Sequence, residues 1–216
     1  MNLQITPEKA EICGIFAGDG TLYKTTDSGF VLEIRGGTDE VLYYRHVKLL
    51  FENLFNRKIK ILKRKYKGGF TIGIRLCGKL VMDVFHNTFN FPIGKKSRTV
   101  KIPSFILNSK KPEIWKSYLR GEFDTDGSIY IKKTGNKNRY KQPVVSFTSL
   151  SYTHLLQIKD LLDRLDFNSW IEKSNFRVRL CGWSTIKRFL KLINPNNERH
   201  WKRVKRLMPR IYAEVA

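Results

Sequence analysis

The sequence predicts an α+β protein built from two related units, and three observations carry that prediction. The chain repeats itself in order. Asp19-Gly-Thr-Leu-Tyr23 returns as Asp126-Gly-Ser-Ile-Tyr130, at an offset of 107 residues. Ile74-Arg-Leu-Cys-Gly78 returns as Val178-Arg-Leu-Cys-Gly182, at an offset of 104, and Ile102-Pro103 returns as Met208-Pro209, at an offset of 106. Second, each copy pairs a helix signature with segments of apolar and polar alternation. Third, 41% hydrophobic residues in a 216-residue chain are enough for a core, which excludes a disordered tail. Two copies are too few for a solenoid, so they predict a pseudo-dimer about a two-fold axis. The units are 1–108 and 109–216, with the seam near Asn108 to Pro112.

Each unit reads α-β-β-α-β-β-α. Thr6-Pro7-Glu8 caps and starts a helix that ends at Asp19-Gly20; Pro112-Glu113 starts its counterpart, ending at Asp126-Gly127. A hairpin follows, Thr21 to Thr26 and Phe30 to Gly36 around Asp27-Ser28-Gly29. Thr38 is placed to cap a helix carrying Val41, Leu42, Val47, Leu49, Leu50 and Leu54. A second hairpin runs from Lys58 to Leu76 about Gly68-Gly69, and in the second copy Phe176 to Leu180 follows a Ser174-Asn175 turn. Closing helices are expected near Lys79 to Phe89 and Ser184 to Leu192.

The net charge is +22, from 41 Lys and Arg against 19 Asp and Glu. An excess of that size selects polyanions, nucleic acid first among them. No run of about 18 apolar residues is present, so no spanning helix is expected. Three dispersed cysteines exclude a disulfide framework and predict a reducing, intracellular setting. The polar sheet face is basic. Tyr23, Lys24, Arg35, Lys58, Lys60, Arg64, Lys65, Tyr66 and Arg75 come from the first unit. Lys132, Lys133, Lys137, Arg139, Lys141, Ser149, Lys173, Arg177 and Arg179 come from the second. Basic two-stranded ribbons fit the major groove of double-stranded DNA.

The helix ends carry the chemistry. They read Ile12-Cys-Gly-Ile-Phe-Ala-Gly-Asp-Gly20 and Leu119-Arg-Gly-Glu-Phe-Asp-Thr-Asp-Gly127. Small residues four apart, Gly14 with Gly18 and Gly121 with Thr125, share one helix face, and such faces let two backbones approach closely. Crossing there, the helices would bring Asp19 and Asp126 together at their negative ends, where the acids repel unless a cation intervenes. Oxygen ligands of this kind suit Mg²⁺, with Mn²⁺ as a substitute. Arg120 and Asp124, four apart, are placed to pair. The histidines show no metal-ligand spacing.

These two motifs and the repeat layout resemble the LAGLIDADG homing endonucleases in their single-chain, two-motif form, over the whole chain. The resemblance implies a monomeric, metal-dependent, site-specific DNA endonuclease whose sheets form a saddle over the major groove. It further implies cleavage of both strands across the minor groove with 3′ overhangs, and an intron-encoded origin. Asp19 and Asp126 then take the place of the metal-binding acids, and the Gly18 and Thr125 carbonyls the adjacent place. A catalytic lysine is implied in Phe91 to Ser97, at Lys95 or Lys96. In the second copy, where that lysine is missing, Arg199, His200 and Lys202 stay open. Gly36-Gly37 and Ser149 stand where relatives carry Gln or Lys, so the half-sites are expected to be unequal. The alternatives on the same scaffold are a maturase binding intron RNA and a DNA-binding regulator without catalysis; keeping both acids beside a polyanion favours the nuclease.

Overall fold

The computed structural model describes residues 4–26, 29–66, 68–135 and 140–215. Helix α1 (Pro7–Asp19) starts at Thr6, whose Oγ1 accepts from the Lys9 N–H at 3.3 Å, with Pro7 in the first turn. Strands β1 (Gly20–Thr25) and β2 (Gly29–Gly37) follow, then α2 (Val41–Phe55), β3 (Ile61–Tyr66) and β4 (Gly69–Cys77). The second copy runs α5 (Pro112–Asp126), β5 (Gly127–Thr134), β6 (Tyr140–Thr148), α6 (Tyr152–Arg164), β7 (Trp170–Glu172), β8 (Arg177–Cys181) and α7 (Trp183–Ile193). Each copy forms a four-stranded antiparallel sheet with the same crossover, β1-β2-β4-β3 and β5-β6-β8-β7. Among the described residues no helix is long and apolar enough to cross a membrane.

Several local expectations are corrected. Thr38 does not cap α2. Its cap is Glu40, whose carboxylate accepts from the Gly37 N–H at 2.8 Å. Val41, Leu42 and Leu49 are exposed, and α2 instead buries Tyr43, Tyr44, Val47, Leu50, Phe51 and Phe55. The first closing helix has the expected extent but changes type: α3 (Lys79–Met82) widens into a π-helical turn, Asp83–Thr88, that buries Phe85. The Ser174-Asn175 turn is a 3₁₀ turn, Lys173–Asn175, after which Phe176 is left-handed and exposed rather than in the strand. The sequence pattern also omitted three helices: α4 (Ser104–Leu107), α8 (Glu198–Leu207) and α9 (Pro209–Val215).

The core has one aromatic cluster per sheet, and the same motif position anchors both. Phe16 of α1 packs on Phe85 and Phe91, with centroids 4.8 and 4.6 Å away. Phe123 of α5 packs on Phe189 at 5.0 Å, Phe147 at 5.6 Å and the His200 ring at 4.2 Å. Helix α1 is buried on every side from Ala10 to Ala17, because one side faces its own sheet and another faces α5.

Candidate functional site

The two motif helices touch through their glycines. A Cβ built on Gly14 would lie 2.2 Å from the Tyr118 carbonyl oxygen and 2.8 Å from the Glu122 nitrogen. The reciprocal Cβ on Gly121 would lie 2.2 Å from the Glu11 oxygen and 2.8 Å from the Ile15 nitrogen. Both obstacles are backbone, so only glycine permits this approach. At the helix ends a Cβ on Gly18 would strike Thr125 Oγ1 at 2.0 Å and come within 3.5 Å of the Asp126 carboxyl carbon. Asp19 and Asp126 therefore end adjacent helices at one place.

Electrostatics there follow from crowding. Burial and the Asp126 charge push the Asp19 carboxyl up to about 7, against the pull of Arg199 and Lys96. Burial likewise raises Asp126, with Lys96 and Arg199 opposing. Two basic side chains close the site. Lys96 Nζ donates to the Ala17 and Gly18 carbonyls, both at 2.6 Å. Arg199 donates to the Thr125 carbonyl and pairs with Glu40 at 3.1 Å. Each unit thus lays one cation on the carbonyls ending its own motif helix. Lys95 is exposed, Lys202 is exposed and pairs with Glu198, and His200 is buried against Phe123. Burial drives Lys96 down and Glu122, which faces it, well up, while their mutual attraction opposes both shifts.

The donor set fits a hard divalent cation. It is all oxygen, and its paired acids repel without one. Among the described residues no three His, Cys, Asp or Glu gather as a metal cluster. Mg²⁺ needs no more than one or two carboxylates, because it keeps several waters.

Acids that the charge pattern concealed organise the surroundings. Glu11 of α1 is buried and accepts from Asn196 at 2.8 Å, from Arg120 at 3.2 Å and lies 2.6 Å from His46 Nε2. Arg120 therefore pairs across the helix interface, not with Asp124. Asp124 instead accepts the Asn196 and Asn197 N–H groups at 2.8 and 3.1 Å, and burial raises it to about 7. Asn197 also donates to Glu40 at 2.6 Å. Glu122 is signalled in sequence as a charge at an apolar motif position; Glu11 and Glu40 carry no comparable signal.

On the sheets, register sorts the basic residues. Leu22, Leu32, Ile34, Ile72, Ile74 and Leu76 face the helices, so Tyr23, Glu33, Arg35, Arg64 and Arg75 share the opposite face. In the second sheet Tyr130, Lys132, Glu172, Arg177 and Arg179 occupy that face. Lys24, Lys65, Lys133 and Lys141 have the helix-facing parity and are exposed toward strand ends, so the alternation places them off the basic face. Lys58 and Lys60 precede β3, because Ile59 is buried and its N–H is held by the Glu52 carboxylate at 2.8 Å. Lys173 lies in the 3₁₀ turn, its Nζ 5.8 Å from the Tyr152 ring centre. Ser149 Oγ sits 3.2 Å from His154 Nδ1 and accepts the Ser151 N–H at 3.2 Å. Lys137 and Arg139, and the side chain of Tyr66, lie outside the described residues.

Comparisons with known proteins agree with this architecture. The profile of a LAGLIDADG-like domain matches residues 114–194. Curated relatives are the ribonucleoside-diphosphate reductase NrdEB subunit alpha of Bacillus subtilis (strain 168) and its Bacillus phage SPbeta counterpart. Both are 25% identical over 185 residues, which is 79% of this chain but only 15% of theirs. The fold is shared with a homing endonuclease, I-WcaI, bound to its DNA recognition sequence: TM-score 0.57, 16% identity, 99% of this chain and 88% of that one. Variants of the homing endonuclease I-DmoI align with TM-score 0.56 at 16% identity, over 87% of this chain and 94% of theirs. I-SmaMI, bound to uncleaved DNA with calcium, aligns with TM-score 0.57 at 12% identity, over 92% and 88%. Residues 114–194 match a LAGLIDADG-like domain, and the chain as a whole shares its α+β fold, two four-stranded antiparallel sheets with helices, with homing endonucleases of known structure.

Proposed function

We propose that the chain is a monomeric, site-specific endonuclease that hydrolyses both strands of a long DNA target, using Mg²⁺ held by Asp19 and Asp126. The carrying observation is the convergence of these two carboxylates at the end of a glycine-packed helix pair, with one cation from each unit beside them. Mg²⁺ there would supply a water of lowered pKa and stabilise the leaving oxygen. The residues do the rest. Asp19 and Asp126 hold negative charge where the two phosphodiesters approach. Lys96 and Arg199 place positive charge beside them and order water. Tyr23, Arg35, Arg64, Arg75, Tyr130, Lys132, Arg177 and Arg179 bear on the major groove, so that the helix ends face the minor groove between half-sites.

The unit boundary near residue 108 and 3′ overhangs belong to the same proposal. So does carriage on an intervening element, which we take to be an intron; in the curated relatives the matching stretch is a small part of a larger polypeptide. The test is incubation with DNA spanning the uninterrupted host gene, in Mg²⁺ and in EDTA. A discrete Mg²⁺-dependent double-strand cut with 3′ extensions is expected. Tight binding with no cut at any site would make the chain a binding protein on this fold.

A further inference from the structure

Glu33 is the only acid among the described residues of the first sheet's helix-free face, and it is 4% exposed at the centre of that face. Strands β2 and β4 are the inner pair of their sheet. Three arginines from three strands converge on this carboxylate. Arg35, two residues on in β2, pairs with Oε2; Arg64 of β3 reaches Oε1 at 2.9 Å; Arg75 of β4, directly opposite in register, places Nε 3.6 Å from Oε1. Their side chains remain 36, 39 and 30% exposed, so the guanidinium groups stand above the buried acid. Arg64 uses Nη1 on Glu33, which leaves its Nε–Nη2 edge for a ligand. Arg75 approaches through Nε, which leaves its two terminal nitrogens.

Resting on the endonuclease reading, we infer that Glu33 is a specificity-determining positioning residue, fixing Arg35, Arg64 and Arg75 as one reader of clustered guanines in the first half-site. A forked donor held above the groove floor matches guanine O6 and N7. Phosphate would accept the same fork, but Glu33, Arg35 and Arg75 lie on the inner strands β2 and β4, where base edges face a ribbon, and Arg64 reaches in to them from edge strand β3. The carboxylate beneath also lowers the cluster's net charge, which disfavours phosphate more than a neutral base. Unanchored, long arginine side chains would lose rotamer freedom on binding; held by Glu33, that freedom is lost on folding.

The second sheet is built differently. The position matching Glu33 is Ser146, opposite Arg179. The acid there is Glu172 on edge strand β7, holding Arg177 at 3.2 Å and Arg179 at 2.9 Å. Among the described residues two arginines gather there, and Arg179 is 9% exposed. The guanine requirement should therefore be stronger in the first half-site, making the target asymmetric.

The probe is a pool of randomised DNA duplexes, selected for binding in Ca²⁺ and sequenced, with unmodified protein, Glu33→Gln and Arg64→Lys. The unmodified chain should recover sites with two or three guanines grouped in one half. Glu33→Gln should still enrich sites, but with roughly tenfold less discrimination at those positions and unchanged preferences in the other half. Arg64→Lys, which keeps the charge and the acid, should relax a single position. Recovered sites without grouped guanines, or a Glu33→Gln variant that keeps them, would overturn the inference alone. Uniform weakening at every position in both variants would mark a merely structural or phosphate-binding cluster, overturning it too. No enrichment by the unmodified protein would remove the DNA reading on which it rests.

Discussion

Replacing Gly14 by Ala adds one methyl group, and the interface decides the sign of its effect. In an isolated helix the change would stabilise, because Ala is better than Gly by about 1 kcal/mol. Here the new Cβ would stand 2.2 Å from the Tyr118 oxygen and 2.8 Å from the Glu122 nitrogen. Neither is a flexible side-chain tip, so α1 and α5 must separate by about 1 Å to restore van der Waals distance. Overpacking of this kind costs about 1–3 kcal/mol, enough to reverse the propensity gain. Asp19 lies in the same rigid helix, so the acids separate with it. A misplacement of about 1 Å in a reacting geometry costs about a hundredfold in rate. Gly121→Ala meets the Glu11 oxygen at the same 2.2 Å and should behave alike. The double variant should lose less than the sum, since a gap opened once accommodates both methyls. Urea unfolding gives the stabilities, and cleavage of the recovered target gives the rates. A stabilised Gly14→Ala protein with full activity would refute close packing through this residue.

Other outcomes follow from the same geometry. Lys96→Ala should lower cleavage about a hundredfold with binding retained, the scale of losing one preorganised donor, whereas Lys95→Ala should stay within a few-fold; single-turnover rates on a fixed target separate them. With its carboxyl near 7, Asp19 holds a proton below that pH, and a divalent ion must displace it. Apparent metal affinity should therefore fall by up to about tenfold per unit as pH drops below 7 and level off above it; calorimetric titration with Mn²⁺ at several pH values reads this. Arg120→Leu removes one partner of buried Glu11 and should cost about 2–4 kcal/mol, somewhat softened by His46 and Asn196, as measured by denaturant unfolding.

Much of this arrangement was legible in the sequence because it rests on short-range rules. The repeat, the Pro-started helices, the Asp-Gly ends and the alternating strands are local patterns, and small residues four apart announce a close helix crossing. Residues that act through long-range contacts were not legible. Glu33 reads as one charge in an apolar strand until register sets it opposite Arg75. Lys95 and Lys96 are chemically equivalent in sequence, and only the path of their loop sends Lys96 to the Ala17 and Gly18 carbonyls. The Arg120–Asp124 spacing is sound for an exposed helix. It failed because α5 is buried, so each side chain found a partner in another element.

The central claim is that the units contribute one acid each to a shared metal-dependent site. Its most direct measurement compares Asp19→Asn and Asp126→Asn on supercoiled plasmid carrying the target, scored for linear, nicked and intact forms beside a gel-shift assay. Each variant keeps side-chain shape and removes one negative charge, so metal should bind poorly and no activated water should form. DNA binding should persist or tighten, because a carboxylate near phosphate is repulsive. Loss of the linear product in both variants with binding intact is the predicted result. Ordinary linearisation by either variant would contradict the assignment of that acid, and joint loss of binding and cleavage would make its role structural.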